Sequence, residues 1–212
     1  DLVKLYVLLH ADHESGNVSA HATYLVSSCL ADIYYSLSAG LNGLAGPLHG
    51  GAVYEVIHWL QKALDKFGRV PSADELTKYV RETLEAGQVI PGYGHAVLRK
   101  TDPRFQAQLE FGQRHVAEDA LFKIADLASK IVPSILQSLG KVANPWPNVD
   151  AITGVLQYLY GISQFDYYIL LFGISRALGV TAIAIWARAL ELPIERPKSV
   201  TTAMLEALAQ KS

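Results

Sequence analysis

Apolar residues recur along this chain at helical spacing, and no run of strict alternation is long enough to require a β-sheet. The clearest example starts at Ser72-Ala-Asp-Glu75, which has the pattern of a helix capping box. Gly87 stands where it can end that helix. The apolar positions on one face between them are Leu76, Tyr79, Val80 and Leu84. The sequence therefore predicts an all-α fold.

Two further helix starts are marked by aspartates. Asp102-Pro103 offers an N-cap followed by proline at the first helical position, and another helix is expected to begin around Asp119. Pro133 lies inside the second of these helices and is expected to bend it. Its apolar stripe consists of Ile124, Leu127, Ile131 and Ile135.

The most apolar stretch runs from Tyr167 to Ala187 and is long enough for a membrane helix, but Arg176 lies near its middle. An arginine at the bilayer centre costs roughly 2.5 to 3.5 kcal/mol on insertion scales. The stretch therefore predicts a buried helix of a soluble protein. No acidic residue lies within one turn of Arg176, so its carboxylate partner is expected from a distant segment or from a ligand.

Composition restricts the functional class. The 212 residues are 50% apolar and 18% charged, with a net charge of -2, which is typical of a compact soluble domain. The chain has no excess of basic residues, so its charge does not indicate binding to nucleic acid or to an anionic membrane surface. Cys29 is the only cysteine, so a disulfide framework and a thiolate zinc site are excluded, and a reducing intracellular setting is favoured.

Three loops between predicted helices are rich in glycine and proline, and each contains a titratable residue. These residues are His49 in loop 46–51, His95 in loop 91–95 and Asp150 at the end of loop 144–150. A rigid loop holds a side chain without much entropy to lose. A carboxylate can take a proton, and a neutral imidazole can donate a hydrogen bond to a developing oxyanion. The alternative is that all three are ordinary caps and turn residues.

A metal site is a competing interpretation of the first residues. His10 and His13 are three apart, with Asp12 and Glu14 beside them and His21 further along. Zinc sites use such spacing, but the cluster lacks a clear third ligand and matches no usual zinc signature. No metal is expected.

Nucleotide-binding fingerprints are absent or incomplete. Gly92-Tyr-Gly94 is too short for the glycine-rich dinucleotide loop, and nothing resembling a strand precedes it. No phosphate-binding loop of the G-x-x-x-x-G-K-[ST] type occurs. The tryptophans at 59, 146 and 186 are expected to belong to the core rather than to a cofactor site.

Six long stretches together resemble the citrate synthase family, in the order of its motifs, and most closely its eukaryotic mitochondrial type. The family's chains extend well upstream of Asp1, so the resemblance covers all of this sequence and about half of a complete enzyme. The stretches are His10-Ala-Asp-His-Glu-Ser-Gly-Asn-Val-Ser-Ala-His21, Asn42-Gly-Leu-Ala-Gly-Pro-Leu-His-Gly50, Pro91-Gly-Tyr-Gly-His-Ala-Val-Leu-Arg-Lys-Thr-Asp-Pro-Arg104, Asn144-Pro-Trp-Pro-Asn-Val-Asp150, Leu171-Phe-Gly-Ile-Ser-Arg-Ala-Leu-Gly179 and Glu195-Arg-Pro-Lys-Ser199.

The resemblance implies a catalytic set for the condensation of acetyl-CoA with oxaloacetate. Asp150 matches the base that removes a methyl proton from the acetyl thioester, and His49 matches the donor that stabilises the resulting enol. His95 matches the residue that polarises the oxaloacetate carbonyl and holds the product. These roles agree with the chemistry that the three loops offer.

The resemblance also implies the binding residues. The matches to the oxaloacetate ligands are His13, Arg104, Arg176 and Arg196, with Arg196 reaching the site of the partner subunit in a homodimer. The matches to the part that packs on coenzyme A are Val89, Ile90, Pro91, Gly92, Tyr93, Gly94 and Arg99. Acetyl-CoA is a substrate, so the family pattern implies no cofactor and no metal.

The family architecture divides the chain in two. Residues 1–52 and 166–212 are expected to belong to the large helical domain, and residues 53–165 to a smaller helical domain inserted between them. The active site is expected in the cleft, closing as the small domain rotates. The upstream half is expected to cover apolar faces of this segment. The family also implies the mitochondrial matrix, with no nucleic acid and no membrane as partner.

Two departures from the family pattern lie next to catalytic residues. Gly51-Ala-Val-Tyr54 follows His49-Gly50 where the family usually has a larger residue and then Ala-Asn-Gln, and Ile152-Thr153 replaces His-Ser or Ala-Ser. Both bear on acyl-CoA selectivity and turnover more than on the fold. A 2-methylcitrate synthase that uses propionyl-CoA, and a structural paralogue without turnover, therefore remain as alternatives.

Overall fold

The computed structural model describes residues 1–12, 16–46, 49–95, 97–140 and 143–210. Within these residues it is all-α, as predicted: no strand is present, and the only β-type pairing is an isolated antiparallel bridge between Tyr93 and Pro147. The described residues form ten helices: α1 (Leu2–His10), α2 (Val18–Ser28), α3 (Ile33–Leu44), α4 (Ala52–Phe67), α5 (Ala73–Glu85), α6 (Pro103–His115), α7 (Ala120–Ser138), α8 (Asp150–Leu159), α9 (Asp166–Ala189) and α10 (Thr202–Ala209).

The helix starts predicted from local sequence are confirmed. Ser72 and Glu75 form the reciprocal capping box of α5. The side chain of Asp102 accepts from the backbone of Arg104 at the start of α6, and Asp119 caps α7 in the same way. Helix α7 runs through Pro133 without a break, and the bend expected there stays a prediction.

Helices α4 to α8 pack around one hydrophobic core. Its centre contains Ile57 and Leu60 of α4 and Ile152 of α8, all at most 1% exposed. Gly154 lets α4 and α8 approach closely, because a Cβ atom there would lie 2.7 Å from Cγ1 of Val53. Burying these side chains stabilises the group by roughly 1.5 to 3 kcal/mol for each large apolar residue.

Helices α1, α2, α3 and α9 form a second packed group. Helix α1 connects the two groups, because it also contacts α6 and α8. Helices α2 and α3 approach so closely at Gly40 that a Cβ atom there would lie 2.0 Å from Thr23 Oγ1. The last turn of α1 is tied to the middle of α9 by three hydrogen bonds, which satisfy carbonyl groups that a helix end leaves open. They run from Ser175 Oγ to Val7 O (2.7 Å), from Arg176 Nε to His10 O (2.9 Å) and from Gly179 N to Ala11 O (2.9 Å).

Helix α9 is the one helix in the described ranges that is long and apolar enough to cross a membrane by length and composition. Arg176 in its middle is 1% exposed and held by protein groups, but only 33% of the apolar window is buried, so the predicted buried helix is found only in part. The placement of Trp186 in the core was wrong, because that residue is 66% exposed near the end of α9. Its neighbours on the outer side of α9 are also exposed and apolar, including Ile174, Leu178 and Ile185.

Candidate active site

Loops 91–95 and 144–148 are fastened to each other along their backbones. Gly94 N donates to Trp146 O at 3.1 Å, and Asn148 N donates to Gly92 O at 2.9 Å. The side chain of Asn148 adds a third bond, from Nδ2 to Gly94 O at 2.9 Å. The two loops therefore form one rigid unit, which carries His95 at one end and leads into Asp150 at the other.

Gly92 shows why this unit needs glycine. Its φ of +82° is costly for other residues, and a Cβ atom there would lie 2.6 Å from Ala151 Cα. The loop backbone thus rests directly on the first turn of α8, next to Asp150.

The proton of His95 is assigned by its backbone contacts. Nδ1 accepts hydrogen bonds from the N–H groups of Val97 and Leu98, each at 3.0 Å. A nitrogen that accepts carries no proton, so the neutral ring is protonated at Nε2. Burial, and next the charge of Arg104, lower the pKa of His95. The residue is therefore held as a neutral imidazole that donates from Nε2.

Asp150 is the first residue of α8, and its backbone N–H donates to Asn148 Oδ1 at 2.9 Å. Burial raises the pKa of its carboxyl from 3.8 to about 6. The charges of Arg104 and Arg176 oppose that rise, and the charge of Asp102 adds to it. A carboxylate with a pKa near 6 is ionised at neutral pH but is a stronger base than an ordinary aspartate.

His49 lies at the end of a hydrogen-bond chain that starts at Arg176. Its Nε2 is 3.0 Å from Ser19 Oγ, and Ser19 Oγ is 2.7 Å from Asn17 Oδ1. Ser19 has one hydroxyl proton, which can serve either Asn17 or His49. When it serves Nε2, the proton of neutral His49 stands on Nδ1. Burial, and next the charge of Arg176, lower the pKa of His49 to about 4, so the ring is neutral at physiological pH.

Arg176 is held on one side and open on the other. Nε donates to His10 O, and Nη1 donates to Asn17 Oδ1 at 3.2 Å and, more weakly, to Ser19 Oγ at 3.4 Å. The guanidinium stacks 4.7 Å from the centre of the Phe172 ring. Nη2 is buried and has no hydrogen-bond partner among the described residues. Burial lowers the pKa of Arg176 to about 10, so it is still a cation at pH 7.

Arg104 is held by Asp102, which is 1% exposed. The closest contact joins Arg104 Nη2 to Asp102 Oδ2 at 2.7 Å, and Nε donates to the same carboxylate at 3.0 Å. Asp102 Oδ2 also accepts from Val149 N at 3.1 Å. The carboxylate is therefore in contact with the residue that precedes Asp150.

A cavity of about 620 Å³ lies beside the glycine loop. Residues 88–93 form one wall, and Trp59, Lys62 and Tyr79 of α4 and α5 contribute to the other. Of the loop residues singled out in the sequence, Val89 is 81% exposed and Ile90 is buried. The lining is thus mixed, with the aromatic Trp59 and Tyr79 beside the polar Glu55, His58 and Lys62.

The structure brings most of the predicted site residues together. Ser19 joins His49 to Arg176 by hydrogen bonds. The charge of Arg104 lowers the pKa of both His95 and Asp150, and the charge of Arg176 also lowers the pKa of Asp150. Residues 89–93 line the neighbouring cavity, and Gly94 comes next in the chain. Arg99 Nη1 donates to the carbonyls of Val97 and Leu98.

Two predicted ligands are not placed at this site. Arg196 is exposed in the extended segment after α9, and no hydrogen bond or ion pair within the described ranges joins it to Arg176 or Asp150. Its neighbour Glu195 contacts Ser28 and lies 3.5 Å from His21, both on α2. His13 lies outside the described residues.

Sequence reasoning missed three supporting residues. Asn17 and Ser19 hold Arg176 and His49, and Asp102 was predicted only as a helix cap. The sequence did indicate that a buried Arg176 needs polar partners. It did not indicate where in the chain those partners lie.

Metal ligands do not converge in the part of the chain that the structure describes, where no group of three or more His, Cys, Asp or Glu side chains could hold an ion. His10 is fully buried, stacked at 4.1 Å on Tyr6, and its Nδ1 bonds to Tyr6 O at 3.0 Å. His21 instead faces Glu195.

Comparison with known proteins gives consistent matches. Residues 1–198 match the family model described as citrate synthase, C-terminal domain. The chain is 56% identical over 211 residues to a probable mitochondrial citrate synthase of Glossina morsitans morsitans, covering 100% of this chain and 45% of that protein. It is 53% identical over 206 residues to citrate synthase 5, mitochondrial, of Arabidopsis thaliana, covering 97% and 44%.

A solved structure agrees with these matches. The citrate synthase of Thermotoga maritima superimposes with a TM-score of 0.80 at 27% identity, covering 95% of this chain and 52% of that one. The chain thus spans about half the length of the relatives it matches, as the 45% and 44% coverages state.

Proposed function

The chain belongs to the citrate synthase family, and we propose that the protein condenses acetyl-CoA with oxaloacetate and water to give citrate and CoA. The observation that carries this proposal is the pairing of a raised-pKa carboxylate with a neutral imidazole of fixed tautomer on one rigid loop unit. Such a pair suits the removal of a weakly acidic proton beside a carbonyl and the polarisation of a second carbonyl.

The first step belongs to Asp150 and His49. The Asp150 carboxylate takes a proton from the methyl group of the acetyl thioester, the C–H electron pair forms a C=C bond, and the carbonyl π pair moves onto the thioester oxygen. When the Ser19 hydroxyl donates to Nε2, neutral His49 carries its proton on Nδ1 and shares it with that oxygen, which gives the enol. A pKa near 6 leaves Asp150 ionised at pH 7 and brings it closer to the acidity of the proton it removes.

The second step belongs to His95. The enol carbon attacks the ketone carbon of oxaloacetate, the thioester carbonyl re-forms as its shared proton returns to His49, and the ketone oxygen takes the Nε2 proton of His95 to become the hydroxyl of citryl-CoA. Nε2–H of His95 polarises that oxygen, because Nδ1 is occupied by two backbone donors. Water then cleaves the thioester, giving a carboxylate and free CoA.

The binding groups follow from charge. Oxaloacetate is a dianion, and the open Nη2 end of Arg176, together with Arg104, offers two fixed cations for its carboxylates. We further infer that His13 completes this set and that Arg196 reaches the site of the partner subunit in a homodimer.

Coenzyme A is assigned to the cavity beside loop 89–94, with Arg99 as a further contact by resemblance to the family. Trp59 and Tyr79 suit the flat adenine ring and the pantetheine arm, and Lys62 adds a positive charge for phosphate, next to the acidic Glu55. Acetyl-CoA is a substrate, and the proposed chemistry uses neither a resident cofactor nor a metal.

The architecture supports a closing cleft. We propose that residues 1–52 and 166–212 belong to the large domain and that residues 53–165 form the small one. The two packed groups of helices follow this division, and the site residues come from both. Closure would exclude water while the enol exists. The names of the two relatives support a place in the mitochondrial matrix.

The test is CoA release from acetyl-CoA plus oxaloacetate by the protein and by Asp150→Asn. We expect turnover in the first and a loss of about 10² to 10⁴-fold in the second. Asp126→Asn is a matched control, because the side-chain partners of Asp126 among the described residues are the exposed Gln113 and Lys130. Full activity in Asp150→Asn, or none in the unsubstituted protein, would refute the proposal. A higher kcat/KM with propionyl-CoA would replace it by 2-methylcitrate synthesis.

A further inference from the structure

Asp102 carries more contacts than a helix cap requires. It is 1% exposed, and its two oxygens accept from the backbone N–H of Arg104 at 2.9 Å, from the Arg104 guanidinium at 2.7 to 3.2 Å and from Val149 N at 3.1 Å. Its own backbone N–H donates to Pro147 O at 3.2 Å. One buried carboxylate therefore joins the start of α6 to the start of α8.

Two other aspartates show what capping alone looks like. Among the described residues, the side chain of Asp32 accepts from Tyr34 N and that of Asp119 from Leu121 and Phe122 N, so each serves its own helix. Neither is buried. Burying a carboxylate costs free energy unless it is fully bonded, and the cap of α6 does not require that cost.

We propose that Asp102 is a positioning residue that holds the substrate-binding Arg104 and the general base Asp150 in a single geometry. This inference rests on the proposed function, which assigns the roles of Arg104 and Asp150. One oxygen of Asp102 receives both the tip of the Arg104 guanidinium and the N–H of the residue before Asp150. The position of the substrate carboxylate is thereby fixed relative to the base.

The loss of this carboxylate has a geometric consequence. Arg104 would regain its side-chain rotamers, and Val149 N would lose its acceptor at a helix start, where donors already lack partners. A misplacement of about 1 Å costs up to roughly 10²-fold in rate. Oxaloacetate binding and the reactivity of the base are thus expected to fail together.

The same residue acts on Asp150 through its charge. The charged groups that change the pKa of Asp150 are Asp102 and Arg104 at α6 and Arg176 of α9. Asp150 in turn raises the pKa of Tyr6 of α1. Asp102 raises the pKa of Asp150, whereas both arginines lower it. Removal of the Asp102 charge also leaves Arg104 uncompensated. Both changes shift the pKa of Asp150 downward.

The experiment compares Asp102→Asn with Asp119→Asn in the full protein. Each variant keeps an acceptor for capping, but only the first changes the link between Arg104 and Val149. For Asp102→Asn we expect the oxaloacetate KM to rise about 10-fold or more, kcat to fall, and the acid limb of the kcat profile to move to lower pH. Asp119→Asn should leave all three quantities at the values of the unsubstituted protein.

A third variant covers the case in which Asp102→Asn does not fold. Asp102→Glu keeps the charge but is longer by one methylene, so it is expected to raise the oxaloacetate KM without moving the acid limb. An unchanged KM in either folded variant, or equal effects in Asp119→Asn, would overturn the positioning role. If the unsubstituted protein is active and this pattern is absent, only the role of Asp102 fails. If the unsubstituted protein releases no CoA, the proposed function itself fails.

Discussion

The guanidinium Nε of Arg176 donates a hydrogen bond to the backbone carbonyl of His10 at 2.9 Å, across 166 positions of the sequence. The bond caps the end of α1 and at the same time orients Arg176, so that Nη2 stays unpartnered among the described residues. Under the proposed function, structure and oxaloacetate binding depend on the same side chain.

Arg176→Lys tests this dual dependence. Lysine keeps the charge but lacks the planar fork, so it cannot hold His10 and Asn17 while presenting a further donor to a ligand. We expect a loss of about 2 to 4 kcal/mol in the free energy of unfolding and a rise of at least about 10-fold in the Kd for oxaloacetate. Chemical denaturation and isothermal titration calorimetry measure the two quantities.

A surface pair is the control for this change. Arg114 forms an exposed ion pair with Glu110, and Arg114→Lys is expected to alter stability by less than about 0.5 kcal/mol. If Arg176→Lys were equally mild in both measurements, the dual role would be wrong.

Asp150→Asn should stabilise the protein while it inactivates it. The folded pKa of about 6 lies above the ordinary 3.8, so ionisation of Asp150 opposes folding, and this cost grows as the pH rises from about 4 to 6. At pH 7 the amide removes a cost of about 1 to 3 kcal/mol. Urea denaturation at pH 7 and at pH 4 checks this, since the gain should vanish at the lower pH. A loss of stability at pH 7 would contradict the assignment.

The pH dependence of kcat/KM should show an acid limb near pH 6. Asp150 must be ionised to take a proton, so kcat/KM is expected to rise as the pH rises through about 6. His49 does not set this limb, because its pKa is lowered to about 4. The measurement is kcat/KM for acetyl-CoA from pH 5 to 8, because kcat/KM reports the pKa of the free enzyme. A limb near pH 4 or above pH 7 would show that a different group limits turnover.

His10 should make the protein less stable in mild acid. Burial lowers its pKa from 6.5 to about 3 in the folded state, so the unfolded chain binds the proton first. The stability present above pH 6.5 is therefore lost as the pH falls toward 3. The free energy of unfolding, measured from pH 7 to 4, should fall less steeply in His10→Asn by about one proton. Equal slopes in the two proteins would exclude this origin.

Gly92→Ala and Gly87→Ala form a matched pair. Both glycines have positive φ, +82° and +75°, so both changes carry a backbone cost of about 1 to 2 kcal/mol. A Cβ atom at Gly87 meets nothing within 4 Å, whereas at Gly92 it lies 2.6 Å from Ala151 Cα. We expect only Gly92→Ala to reduce kcat/KM for the acyl-CoA, because only that change pushes the loop off α8. Equal kinetics for the pair would show that the contact is not needed.

Local sequence was sufficient to predict the helix starts. The cap at Ser72 and the aspartates at 102 and 119 depend on groups within four residues, and each is confirmed. The resemblance to a family, rather than spacing, was needed to assign roles to His49, His95 and Asp150.

The partners of Arg176 could not be predicted from spacing. They are the carbonyl of His10 and the side chains of Asn17 and Ser19, which lie 157 to 166 positions away. The prediction that Trp186 lies in the core was wrong for a different reason. Its apolar side chain does not show whether the described residues cover its face of α9.

The bonds from α9 to the end of α1 also determine when the first helix can be completed. The carbonyls of Val7, His10 and Ala11 accept from donors at positions 175 to 179, whereas the core of α4 to α8 comes almost entirely from one continuous stretch, with Leu2 and Tyr168 added from α1 and α9. During synthesis at about 5 to 20 residues per second, most of that inner core can therefore form while α1 still lacks its partner on α9.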